Sequence, residues 1–191
     1  MGNIMSVNEG VRTDSLSGLI QQESEISVQR CYQCGKCSAG CPVSSEMDFA
    51  PSVLLRLLQL RNSDSDQKVL GSYSLWLCLT CHTCVARCPM EIDLPTIMDI
   101  LRTESLRRKL VNKRAKDIVA FHKSFLDTVR HCGRLWEVGL IAEYKLRTRH
   151  LWQDVVLAPV MFGKGKLSLI PLFHKKSVNQ IFSHRHNGEE R

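Results

Sequence analysis

Apolar residues recur at helical spacing through most of this chain and at strand spacing almost nowhere. After Pro51, the residues Val53, Leu54, Leu57 and Leu58 lie three or four apart, the pattern of a helix that starts on its proline and buries one face. Leu94, Ile97, Met98 and Leu101 repeat the arrangement around Pro95, and Ile118, Phe121, Phe125 and Val129 set a third face over Asn112 to Val129. Between the first two, Asn62-Ser-Asp-Ser-Asp66 reads as a turn and helix cap, with a short helix from near Asp66 that Gly71 interrupts. Ser72 to Cys78 then predicts a further helix, and Gly133 precedes another from Leu135 to Arg149. Only Glu23 to Gln29 alternates in a way that suggests a short extended piece, and residues 1–20 are polar without a sustained period. The expected organisation is a flexible arm over 1–22, a helical domain over 23–111 and a helical extension over 112–191 suited to subunit docking.

Two stretches escape this periodicity, and they are copies of one another. Cys31-Tyr-Gln-Cys34-Gly-Lys-Cys37-Ser-Ala-Gly-Cys41-Pro42 returns as Cys78-Leu-Thr-Cys81-His-Thr-Cys84-Val-Ala-Arg-Cys88-Pro89, every cysteine and the proline displaced by 47 positions. These runs take eight of the nine cysteines. The spacing C-x2-C-x2-C-x3-C-P is that of a [4Fe–4S] ligand run, and two runs predict two clusters. In two-cluster ferredoxins the fourth cysteine of a run serves the other cluster. The expected sets are therefore Cys31, Cys34, Cys37 and Cys88 for one cluster, and Cys78, Cys81, Cys84 and Cys41 for the other. Structural zinc favours two separated pairs of cysteines, which this pattern does not match. A disulfide framework belongs to small secreted chains, and no export signal is seen, so a reducing cytoplasm is the expected location.

Composition changes this picture little. The chain has 191 residues, 43% hydrophobic and 24% charged, ordinary values for a globular protein. Its formal charge of +7 leaves out the negative charge that thiolate-ligated clusters bring. No nucleic-acid motif accompanies the basic residues, and no apolar run reaches the ~18 residues of a membrane span. The opening Met1-Gly2-Asn3-Ile4-Met5-Ser6 fits a short acylation pattern that is often met by chance, and Gly163-Lys-Gly-Lys166 is a turn rather than a phosphate loop. Arg102, Arg107, Arg108, Lys109, Lys113, Arg114 and Lys116 read as a solvated helix face or a docking patch. Leu75, Trp76, Leu77 and Leu79 surround the start of the second run and should keep its cluster from water. His82 reads as a polar position near that cluster, and Cys132 as a buried free thiol. The apolar stretches Val155 to Phe162 and Leu167 to Phe173 are candidates for burial against another subunit.

The 36 residues between Cys41 and Cys78 carry leucines at helical spacing, where a compact bacterial ferredoxin would carry short strands. The chain thus resembles the α-helical ferredoxins: mainly α, with two clusters between pseudo-symmetric helical halves. Ser74-Leu-Trp-Leu-Cys-Leu-Thr-Cys-His-Thr-Cys-Val-Ala-Arg-Cys-Pro-Met-Glu-Ile-Asp-Leu-Pro95 and Ala158-Pro-Val-Met-Phe-Gly-Lys-Gly-Lys-Leu-Ser-Leu-Ile-Pro171 look like the C subunit of heterodisulfide reductase. Succinate dehydrogenase iron–sulfur subunits and anaerobic glycerol-phosphate dehydrogenase C subunits share the runs but carry further domains. The resemblance implies an electron-transfer subunit with no substrate site of its own. It would relay electrons through two [4Fe–4S] clusters from a flavin- and iron–sulfur-containing A subunit, itself fed by a hydrogenase or other donor module, to a Cys-Cys-Gly-motif catalytic B subunit that reduces a disulfide. A relay subunit of another anaerobic dehydrogenase or reductase, and a cluster-based redox sensor, are the alternatives; duplicated runs disfavour the sensor, which needs one.

Overall fold

The structure, a computed structural model, describes residues 15–149 and 158–164 together with residue 178. Most of the expected arm, the stretch Leu167 to Phe173 and the start of Val155 to Phe162 lie outside the described residues. Among those described there are ten α-helices, some 3-10 turns and no strand. The chain divides into two compact units, residues 1–114 and 115–191.

The first unit holds seven helices. They are α1 (Leu16–Ser24), α2 (Lys36–Ala39), α3 (Pro51–Gln59), α4 (Ser63–Leu70), α5 (Ser74–Leu77), α6 (Thr83–Ala86) and α7 (Leu94–Arg107). Helix α3 begins on Pro51, whose missing N–H costs nothing in a first turn, and buries Leu54, Leu55 and Leu58. Helix α7 is capped by Asp93, whose carboxylate accepts from the Thr96 amide at 3.3 Å and from its hydroxyl at 2.8 Å. It buries Leu94, Ile97, Met98 and Leu101, the face expected from spacing. Helices α1, α4 and α5 all pack on α7, and α1 and α4 also on α3, so the two proline-started helices form the frame. Leu16, Ile20, Leu54, Leu58, Val69, Leu70, Leu75, Ile97, Met98 and Leu101 are fully buried between them.

Two expectations fail here. The described end of the expected arm, with the extended piece after it, forms α1 and a 3-10 turn, Val28–Arg30, with Leu16, Ile20 and Val28 in the core. The N-terminus of α1 is held by Asp66, 50 residues away, whose carboxylate accepts from the Leu16 amide at 3.0 Å. Helix α4 starts at Ser63, three residues before the expected Asp66, because the cap is the first residue of the turn; Asn62 Oδ1 accepts from the Ser65 amide at 2.7 Å.

A second carboxylate ties the loop after the first cysteine run to the entry of the second. Asp48 accepts from the amides of Phe49 (3.0 Å), Tyr73 (2.7 Å) and Ser74 (2.9 Å) and from the Ser74 hydroxyl. Burial alone would raise the carboxyl's pKa, but these hydrogen bonds outweigh it and hold Asp48 below the usual aspartate value. Asp48→Ala is expected to cost about 2 kcal/mol of unfolding free energy at neutral pH, the range for leaving several donors unpaired. Because the folded pKa is the lower one, this contribution is complete above the unfolded value of about 4 and fades as pH falls through the folded value. Denaturant titrations of wild type and variant should therefore converge in acid. A gap that stays constant down to pH ~3 would remove the charge from this account.

The second unit contains α8 (Lys116–Cys132), α9 (Glu137–Thr148) and α10 (Ala158–Gly163). Helices α8 and α9 form an antiparallel pair turned by Gly133, whose φ of 79° is open to glycine and whose N–H donates to Val129 O at 2.8 Å. Contrary to the expected face, Phe121 and Phe125 are exposed, and the buried positions of α8 are Ser124, Thr128 and Cys132. Phe121 meets Tyr144 of α9 edge-on, with ring centroids 6.1 Å apart. Arg147 joins the pair from the outside through Asp127 and Glu143, at 2.7 and 2.6 Å.

Candidate iron–sulfur centre

Each cysteine run folds as an irregular loop followed by one helical turn, α2 carrying Cys37 and α6 carrying Cys84. The second cysteine of each run is bracketed by left-handed residues. Gln33 (φ 62°) and Gly35 (φ 76°) flank Cys34, while Thr80 (φ 49°) and His82 (φ 58°) flank Cys81. Three of these four are not glycine, and such conformations cost of order 1 kcal/mol each. The backbone reverses at these points, and Cys34 and Cys81 are the two exposed cysteines of the eight. His82 thus occupies the place of Gly35 in the repeat.

The remaining thiols are half-buried and converge. Cys41 lines one cavity together with Cys78, Cys81 and Cys84, closed by Met47, Val43, Leu94 and Met98 and free of any charged side chain. Cys88, with Cys34 and Cys31, acts electrostatically on the Tyr32 hydroxyl, whose pKa is raised by desolvation first and then by these sulfurs. Burial pushes the Cys37 thiol up, against hydrogen bonds to Ser38 and with Cys31 adding to the rise. Burial, then the neighbouring charges of Cys78 and Cys37, push Cys84 up to about 11. Cys81 is lowered by its contact with the Thr83 hydroxyl, 3.4 Å away. The two runs abut, with α2 packed on α6.

This donor set fits iron–sulfur clusters. Crowded thiols resist ionisation because thiolates repel in a medium with little water, and bound iron supplies the missing positive charge. No three Cys, His, Asp or Glu side chains among the described residues meet at the distances of a single ion. A four-iron cube takes one thiolate per corner, which spreads its ligands wider than one ion would. N–H groups already point at the sulfurs: Ile92 N donates to Cys88 Sγ and Gln33 Nε2 to Cys31 Sγ, both at 3.4 Å. Such bonds tune cluster potential.

Several contributors escaped the sequence reading. Gln59, on α3, donates to the carbonyls of Cys31 (2.7 Å) and Val28 (3.1 Å). Arg102, on α7, donates to the carbonyls of Cys78 (2.5 Å) and Leu75 (2.6 Å). Each proline-started helix thus grips the first cysteine of the run before it, with a neutral amide in one half and a guanidinium in the other. A Cβ on Gly40 would stand 2.6 Å from the Arg87 side chain, so the glycine before Cys41 makes room for the arginine before Cys88. All of the basic cluster but Arg102 is exposed, as on a solvated face. Arg102 is this clamp, Arg107 and Arg108 pair with buried Glu104, and Arg114 stacks on Tyr73 at 4.4 Å. Leu75 and Trp76 are buried as expected, and Leu79, though 62% exposed, lines the cavity of the second run. Cys132 is buried, as its lone position suggested.

Residues 27–92 match the family described as a 4Fe-4S dicluster domain. A helical fold, two copies of one cysteine run and this match, over about a third of the chain, make the chain similar to dicluster iron–sulfur proteins. Heterodisulfide reductase C subunits are among its relatives. It is 31% identical to the iron–sulfur C subunit of the CoB–CoM heterodisulfide reductase of Methanopyrus kandleri over 103 residues, 54% of this chain and 52% of the relative. Against the C2 iron–sulfur subunit of the Methanocaldococcus jannaschii enzyme it is 33% identical over 96 residues, 50% and 48% of the two chains. The C subunit of the ferredoxin/F(420)H(2)-dependent CoB-CoM heterodisulfide reductase of Methanosarcina acetivorans is 27% identical over 144 residues, covering 75% and 81%. The matched region spans about half the length of the first two relatives.

Proposed function

We propose that this chain is the electron-relay subunit of a heterodisulfide-reductase-type complex, holding one [4Fe–4S] cluster on Cys31, Cys34, Cys37 and Cys88 and another on Cys78, Cys81, Cys84 and Cys41. The observation that carries the reading is the meeting of Cys41 with the three thiols of the opposite run in one uncharged cavity. The position of Cys88 beside Tyr32, Cys34 and Cys31 is its counterpart. The clusters, when bound, supply one-electron redox chemistry between pseudo-symmetric halves. The chain's own residues orient the ligands through Gln59 and Arg102, donate to the sulfurs through Ile92 and Gln33, and keep water from the second site with Met47, Leu94 and Met98.

Complete cysteine ligation of both clusters leaves no iron corner for a substrate, so chemistry on the disulfide falls to a partner. In this reading a flavin-containing A subunit, fed by a hydrogenase or similar donor module, delivers electrons and a Cys-Cys-Gly-motif B subunit receives them, with residues 112–191 as the docking extension. No helix among the described residues is long and apolar enough to cross a membrane. Anaerobic purification of the native chain under mild conditions tests the reading, with the expected result a flavoprotein and a Cys-Cys-Gly protein in the same particle. A chain that elutes alone at every salt concentration tried rules the complex out.

A further inference from the structure

The two halves grip the same pair of carbonyls with groups of different charge. Under the 47-residue shift of the repeat, Val28 and Cys31 correspond to Leu75 and Cys78. Gln59 Nε2 donates to the first pair, at 3.1 and 2.7 Å, and the Arg102 guanidinium to the second, at 2.6 and 2.5 Å. One half thus has a neutral amide where the other holds a full positive charge against the carbonyl of a cysteine. The remaining cations do not cancel this difference. Arg30, Lys36 and Arg56 near the first run, and Arg87 in the second, are exposed, so water and salt screen them, and Arg56 reaches Gln59 only at 3.4 Å. Arg102 keeps 17% of its side chain exposed, and a charge with little water around it is felt further away. Three carboxylates oppose it. Asp99, its ion-pair partner at 2.8 Å, is 64% exposed; Asp48 is exposed and sits at the other end of α5, on the amides of Tyr73 and Ser74; Asp93 answers to the N-terminus of α7, which it caps.

Building on the relay reading, we infer that Arg102 makes the centre on Cys78, Cys81 and Cys84 the better electron acceptor of the two, so that electrons entering the chain collect on the Cys78 side. An added electron leaves a cluster one charge more negative, and a fixed cation nearby favours that state. One electron leaves the centre on the Cys31 side, which is oxidised, and enters the one on the Cys78 side, which is reduced; no bond forms or breaks. Arg102 acts through the Cys78 carbonyl, as a positioning residue and not a ligand. Cys78 shares a cluster with Cys81 and Cys84 whether the fourth thiolate is local or crossed, so the choice between those schemes does not enter.

The test is an equilibrium reduction of the full chain, loaded anaerobically with iron and sulfide and poised with dithionite and mediator dyes at a series of potentials. Electron paramagnetic resonance follows each centre, and the signal that Tyr32→Phe alters marks the Cys31 side. In wild type the Cys78-side signal is expected to appear first. Arg102→Gln, which gives the second half the amide of the first, should lower the reduced-to-oxidised ratio of that centre about tenfold at a fixed potential, a shift of about 59 mV for one electron, and leave the other centre unmoved. Arg102→Lys separates charge from grip: it recovers little stability but most of the ratio. Asp99→Asn, a change at an exposed side chain, should raise the ratio roughly twofold at low salt. The role of Arg102 is overturned if the Cys31-side centre reduces first, if Arg102→Gln leaves the ratio unchanged or shifts both centres alike, or if Arg102→Lys matches Arg102→Gln. Should the Arg102 variants hold only one centre, the wild-type order and Asp99→Asn decide, and a ratio that Asp99→Asn does not raise overturns it. Wild-type iron far below about eight atoms per chain defeats the relay reading and this inference with it, whereas full iron with the order reversed defeats the inference alone.

Discussion

Replacing Cys88 with Ser is expected to cost the chain about half its iron, from about eight atoms toward about four, and to damage the cluster on Cys31, Cys34 and Cys37 rather than its own sequence neighbours. Four thiolates close a cube, and a serine hydroxyl binds iron far less tightly than a thiolate does, so one lost corner opens one cluster. The Cys88 sulfur accepts from the Ile92 amide at 3.4 Å and, with Cys34 and Cys31, acts on the Tyr32 hydroxyl. Cys41→Ser is the mirror experiment. Its thiol shares a cavity with Cys78, Cys81 and Cys84, so this variant should spare the first cluster and lose the second.

Iron and sulfide assays give the halving, and electron paramagnetic resonance of the reduced protein tells which centre survives. The Tyr32 environment supplies the label. Tyr32→Phe deletes the hydroxyl beside Cys34, and should shift only the signal that persists in Cys41→Ser and vanishes in Cys88→Ser. If instead Cys88→Ser leaves the Tyr32-sensitive signal intact, the ligands are local to each run and the crossed sets are wrong.

Much of this centre could be read from the chain alone, for a definite physical reason. A cluster ligand run is a local object, its cysteines three or four residues apart, and the two proline-started helices announce themselves by apolar spacing over less than three turns. Elements decided at long range stayed hidden. Leu16 and Ile20 are sparse apolar residues in a polar stretch; Ser15 caps α1 locally, but Asp66 holds its first amide from 50 residues away and α7 receives its buried face. The helix over Lys116–Cys132 was legible in type but not in face, since its buried side carries Ser124, Thr128 and Cys132 in place of the phenylalanines. Charge was a partial guide. Six of the seven basic residues are exposed, yet Arg102 holds two carbonyls, Arg107 and Arg108 share Glu104, and Arg114 lies over the Tyr73 ring, and contacts to backbone or ring atoms are ones no charge pattern encodes. The repeat itself did hold a usable signal: aligning Gly40 with Arg87, and Gly35 with His82, marks the places where the halves cannot be equivalent.

That inequivalence is sharpest at the clamps, and Arg102→Met should expose it. Methionine keeps an unbranched apolar stem and removes the donors, leaving the carbonyls of Leu75 and Cys78 without their partner. The side chain is mostly buried, at 17% exposure, and its guanidinium is also held by Asp99 at 2.8 Å, which fixes its orientation toward the two carbonyls. Hydrogen bonds from a charged donor contribute about 1.5–3 kcal/mol each, and two are lost, which puts the expected destabilisation at about 3 kcal/mol after partial hydration of the freed carbonyls. Lysine should recover little, because a single ammonium does not span two carbonyls as the planar fork does. Stability alone would not separate a clamp on the cluster loop from ordinary helix packing. Iron release to a chelator does: Arg102→Met is expected to lose about half its iron in a fast phase, from the Cys78 side, while the remainder leaves at the wild-type rate, as set by two four-iron centres. Gln59→Leu should do the converse, loosening the Cys31 side through the same kind of carbonyl contact. Uniform acceleration of all the iron in either variant would mean that these side chains hold the fold as a whole and have no particular hold on one cysteine run.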